Sequence, residues 1–170
     1  MSKHPITMPA VSFVPQKDPK FRVLFISEDS WCGTIYFVLG ATPERYKAWM
    51  KEVFDRDDKE ASHHYFTTEI HDKSGASIDV IAFRDEVWDW SIQQMATLVH
   101  ECHHATSNLL FRKGLAHTRE TEEVWAYLQD SLYQRICWAL KNPKKVARMD
   151  SLCRKLYPPR RKAPKGSGTV

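Results

Sequence analysis

The chain has 170 residues, 42% of them hydrophobic, and a formal net charge of +4. That is enough for one domain with a real core, and it excludes a disordered or fibrous chain. Much of the positive excess lies in KNPKKVARMDSLCRKLYPPRRKAPK near the C-terminus, so a nucleic-acid role would rest on that segment alone, and a solvated tail is the plainer reading.

Residues 1–20 contain Pro and Lys and show no period, so they are expected to form a flexible arm that adds at most one edge strand. FRVLFISE and GTIYFVLG are β-branched and aromatic runs of strand length, parted by the turn-like DSWC and closed by Gly40. In TPERYKAWMKEVF, Thr42 is a helix cap and Pro43 the first helical residue, with Tyr46, Trp49, Met50 and Phe54 at helical spacing. A polar loop, DRDDKEASHH, follows, and its His63 and His64 are expected to be exposed. YFTTEIH and ASIDVIAF flank DKSG and predict a β-hairpin.

Ser91 then caps a long helix, SIQQMATLVHECHHATSNLLFR, which stops near Gly114. A second long helix is predicted from about Thr121 to Lys141 and a shorter one from Lys144 to Leu156. The pattern predicts an α+β domain over 21–156, with a small, mostly antiparallel sheet packed on the long helix and two further C-terminal helices. Residues 157–170 read as a flexible basic tail.

Cys32, Cys102, Cys137 and Cys153 are widely spaced and form no CxxC pair, which favours reduced thiols over a zinc ribbon or disulfide scaffold. No segment has the apolar core of a signal peptide or the roughly 18 apolar residues of a membrane span. A cytoplasmic protein is expected.

The long helix carries His100-Glu101-x-x-His104, the HExxH spacing. Positions i and i+4 share a helix face, so two imidazoles can converge on one zinc ion with the glutamate beside a bound water. At about 100° per residue, Gln93, Thr97, His100, Glu101, His104, Ser107 and Asn108 fall within an arc of roughly 120°. The rest of the circumference is apolar, which predicts a central helix buried on all sides but that strip. His103 falls with Ile92 and Val99, so it is expected to be a hydrogen-bonded histidine in the core or supporting the ligands. Cys102 points away and is read as a packed thiol.

A catalytic zinc takes three protein ligands. The metzincin continuation is absent, because position 107 is Ser and position 110 is Leu. Carboxylates do open the next helix, in ETEEVWAYLQDSLYQ. Here the chain resembles the gluzincin metallopeptidases, and more closely the short zincin-like proteins of bacteria and their phages in which HExxH is followed by E-x-x-A-Y, present as Glu123-Val-Trp-Ala126-Tyr127. The resemblance covers about Met95 to Tyr133. It departs from the thermolysin-type pattern, since Tyr127 stands where an aspartate would follow Glu123.

The resemblance implies a minimal zincin-like fold, Zn²⁺ held by His100, His104 and Glu123, Glu101 as general base, and hydrolysis of peptide bonds. Helix geometry sets Asp130 on the same side as Glu123, where it could support a ligating imidazole. Tyr127 is a candidate oxyanion donor or a packing residue. Glu122 and His117 are rival third ligands, His117 in the manner of the three-histidine SprT-like zincins. Glu122 and Glu123 could equally just favour the helix N-terminus through its dipole. The strand Ser77 to Phe83 is expected to border the cleft and pair with an extended peptide or protein substrate. Trp88 and Trp90 are read as core. The competing reading is a non-catalytic zincin scaffold with a structural metal that binds a protein partner. Glu101 separates the two, because a structural site has no use for a general base.

Overall fold

A computed structural model describes residues 11–28, 33–56, 64–72 and 74–156, with side chains left aside at 150 and 152–156. The chain runs β1 (Val11–Val14), β2 (Arg22–Glu28), β3 (Gly33–Leu39), α1 (Pro43–Phe54), β4 (Tyr65–His71), β5 (Ser77–Phe83), α2 (Ile92–Arg112), α3 (Glu122–Lys141) and α4 (Pro143–Leu156). This is an α+β fold with one five-stranded sheet, ordered β1-β2-β3-β5-β4. Every neighbouring pair is antiparallel except β3 with β5.

Local chemistry accounts for the element ends. Thr42 Oγ1 accepts from Arg45 N at 3.4 Å ahead of Pro43, and Ser91 Oγ accepts from Gln94 N at 3.3 Å to start α2. The Gln94 side chain also ties down the loop before α2, accepting from Asp89 N and donating to Val87 O. In the hairpin turn Asp72 Oδ1 accepts from Ser74 N and Ala76 N, and Gly75 takes φ 84°. Gly40 has φ 79°, and a Cβ there would lie 1.9 Å from Lys20 O, so the turn after β3 demands glycine.

The sheet is covered on both faces. On one side α1 lays Tyr46, Trp49, Met50 and Phe54 on Val23, Val38, Val80, Ala82, Phe66 and Ile70. On the other, α2, α3 and α4 bring Leu98, Cys102, Ala105, Leu132, Ile136, Ala139 and Val146 onto Leu24, Ile26, Ile35, Phe37, Ile81 and Phe83. Strand alternation therefore sends Thr67, Glu69, Asp79 and Ile81 toward α2, and their neighbours toward α1.

The N-terminal stretch contributes β1, the one edge strand it was expected to add at most, paired in register with β2 and burying Val11. One expectation is revised. Strand β5 does not border a cleft: it is interior, hydrogen-bonded to β3 and β4, and its residues from Ile78 to Phe83 are all buried. The edge strand beside β5 is β4, whose polar alternation suits a strand with one open side; β1 forms the other edge. Residues 1–10, the tail 157–170, His63, and the side chains of Cys32 and Cys153 lie outside the description. Cys102 and Cys137 are free thiols, Cys102 buried. Trp88 is buried, and Trp90 lies partly buried under the Lys141 ammonium, 4.5 Å from its ring centroid. His64 is exposed beside Asp85.

Candidate metal centre

The helix that carries HExxH is amphipathic, but its buried face differs from the predicted one. Gln94, Leu98, Glu101, Cys102, Ala105, Thr106, Leu109 and Leu110 are buried. Ile92 is 84% exposed, Val99 41% and Phe111 58%. The arc of Ile92, Val99 and His103, taken as core from its hydropathy, instead looks out over a groove between α2 and α3. His103 is correspondingly exposed, not core, and its Nδ1 meets Gln129 Oε1 at 3.3 Å. Gln129 Nε2 also donates to Val99 O at 3.2 Å, so one α3 side chain fastens two successive turns of α2.

His100 and His104 stand at the rim of this groove, both exposed, with Nε2 atoms 3.0 Å apart and ring planes at 85°. Zinc–nitrogen distances of about 2.0–2.1 Å at a tetrahedral angle put two ligating nitrogens about 3.3 Å apart. The pair thus has the separation of two ligands on one ion. Without metal, the same distance is a hydrogen bond in which one ring donates Nε2–H and the other accepts.

Glu101 projects the other way, against the sheet, and is 6% exposed. Its Oε2 accepts from Thr67 Oγ1 at 2.7 Å, and the same hydroxyl reaches Glu101 O at 3.1 Å. Thr67 lies on edge strand β4. Burying a carboxylate is costly unless it is hydrogen-bonded, and Thr67 supplies that bond.

Two and three turns beyond Glu101 on α2, Asn108 and Arg112 reach β5. Asp79, fully buried, accepts from Asn108 Nδ2 at 3.0 Å and from Arg112 Nη2 at 2.5 Å, while Arg112 Nη1 lies 3.1 Å from Glu69 Oε1. Asp79 and Glu69 face each other across the β4–β5 ladder, and Arg112 bridges the two like charges. Burial raises the pKa of the Asp79 carboxyl against the opposing pull of Arg112 and Asn108. Burial depresses Arg112, but its hydrogen bonds and charge partners Asp79 and Glu69 outweigh that and leave it raised.

The remaining candidates are not gathered at the histidines. Among the described residues no group of three His, Cys, Asp or Glu side chains is placed to hold a metal. Glu122 and Glu123 are exposed in the first turn of α3, whose cap residue Thr121 directs its hydroxyl back to Ala116 O at 2.6 Å and not to the helix. His117 is stacked edge-on against Trp125, ring centroids 4.8 Å apart. Asp130 Oδ2 accepts from Gln134 Nε2 at 2.6 Å and supports no imidazole. Tyr127 is 72% exposed, which rules out the packing role.

Sequence reasoning missed Thr67, Gln129 and Asp79. Only Asp79 left a signal, as the one charge within an apolar strand. No helix among the described residues is long and apolar enough to cross a membrane. No protein-family model matches the chain, and neither a curated protein nor a solved structure matches it.

Proposed function

We propose that the protein is a zinc-dependent metallopeptidase in which His100 and His104 bind the metal and Glu101 is the general base. The observation that carries this reading is the convergent Nε2 pair one helical turn apart, with Glu101, next to His100 in the chain, held buried against the sheet by its hydrogen bond to Thr67.

Zinc held there would supply Lewis acidity and lower the pKa of a water to about 7. The chain's own residues do the rest. Thr67 fixes one carboxylate oxygen of Glu101, leaving the other to take a proton from the attacking water and pass it to the departing amine. Among the described residues β4 pairs only with β5, so its outer edge is open for an extended peptide to add as a strand. That brings substrate to the same strand that holds Glu101.

Glu123 is the third ligand of this proposal. Seven residues separate it from Asp130 and three from Ala126, so it shares their side of α3, the side that lines the groove beside Val99. Completing the set requires Glu123 to move toward the histidines from the exposed first turn of α3. The free thiols of Cys102 and Cys137 go with a cytoplasmic setting.

The experiment is cleavage of a mixed peptide library by zinc-loaded protein, read by mass spectrometry, beside Glu101→Gln. Cleavage by the wild type and its loss in the variant, with zinc still bound, is the expected result. Zinc-loaded protein that leaves the library intact would overturn the catalytic reading.

A further inference from the structure

A cavity of about 290 Å³ opens between α2 and α3, lined by Val99, Ala126, Gln129, Asp130 and Tyr133. It lies on the same stretch of α2 as the histidine pair: Val99 precedes His100 in the chain, and Gln129 holds both Val99 O and His103. Its size lies at the bottom of the range for small-molecule sites, which suits a single side chain better than a whole ligand. Val99, Ala126 and the Tyr133 ring make apolar walls, and Asp130 sets a carboxylate at the rim. Among the described residues no cation pairs with Asp130: the neutral Gln134 amide donates to Oδ2, and a carboxylate has acceptor sites to spare. Glu122 and Glu123 lie about two turns back from Asp130 on α3, and they add negative charge at the same end of the groove.

We infer that this cavity is the specificity pocket of the site, and that it takes an arginine or lysine side chain of the substrate. A long basic side chain buries its methylene stem against apolar walls and keeps its charged end at the surface. The Val99, Ala126 and Tyr133 walls match the stem, and Asp130 matches the charge. The inference rests on the peptidase reading for the word substrate, but not for the binding itself.

The test is an NMR titration of the Glu101→Gln protein with acetyl-Ala-Arg-Ala-amide and with its norleucine counterpart, following the methyl signals of Val99 and Ala126. The arginine peptide should move both signals and bind roughly fivefold more tightly, the scale of one charged contact at an exposed rim. Asp130→Asn should abolish that preference, and Ala126→Phe, at an exposed position, should block both peptides while the circular dichroism stays native. Equal binding of the two peptides, or no movement at Val99 and Ala126 in folded protein, would overturn the pocket assignment. The two proposals fail separately. Library cleavage with no preference for Arg or Lys would sink the pocket and spare the peptidase. An arginine peptide seated at Val99 by a protein that binds no zinc would do the reverse.

Discussion

Glu101 depends on Thr67 more than on any residue near it in sequence. A hydrogen bond to a charged group contributes about 1.5–3 kcal/mol, and losing it here leaves a buried carboxylate short of a partner. Thr67→Val should therefore destabilise the fold by about 2 kcal/mol in urea unfolding. On the peptidase reading it should also lower kcat more than it raises KM, because the base is misaimed while the binding edge is intact. Glu101→Gln should cut kcat roughly 10²- to 10⁴-fold. Wild-type kinetics in Thr67→Val would show that the bond is structural alone. Thr67 was not legible in the sequence: alternation shows which face a strand residue takes, but the helix residue above it is a matter of register. His100, Glu101 and His104 were legible because their spacing alone puts them one turn apart. His103 was misread because hydropathy marks an apolar arc without saying whether a neighbouring helix covers it, and α3 leaves that arc open.

At the level of elements, α2 is held to β4 and β5 at two points, Thr67–Glu101 and the Glu69–Arg112–Asp79 bridge. Removing Arg112 leaves Asp79 buried and unpaired, a loss on the order of 3–5 kcal/mol. Arg112→Met should be destabilised by that amount at pH 7. Asp79 has a raised pKa, so its contribution to stability is fully present below the unfolded value and is lost as pH rises through the folded one. The deficit of Arg112→Met should accordingly shrink on acidification, as Asp79 becomes neutral. A gap that widens toward low pH in denaturant titrations would contradict this assignment. Gly40→Ala should cost on the order of 3 kcal/mol, since it combines a positive φ with a clash on the Lys20 carbonyl. The helices and strands themselves were readable to within a residue or two, from caps such as Thr42 and Ser91 and from alternation. The edge position of β4 was not, although the apolar run of β5, broken only by Asp79, marks a strand enclosed on all sides.

For the molecule as a whole, two cores on either side of one sheet hold α2 so that its histidines face out and its glutamate faces in. The α+β class followed from element order, whereas the placement of the proposed third ligand did not, because Glu123 lies in an exposed first turn that packing does not fix. Zinc binding to the folded state alone stabilises it by about 2.7 kcal/mol at a hundredfold excess over Kd. The melting temperature should rise with zinc in the wild type and in Glu101→Gln, but not in His100→Ala or His104→Ala. The most direct test of the central claim is zinc content by elemental analysis of chelator-free, tag-free protein, wild type beside His100→Ala, His104→Ala, Glu123→Ala and His117→Ala. The account predicts near one zinc per chain in the wild type and in His117→Ala, none in either His100→Ala or His104→Ala, and weakened binding in Glu123→Ala. Folded wild-type protein that neither carries zinc nor takes it up would contradict it.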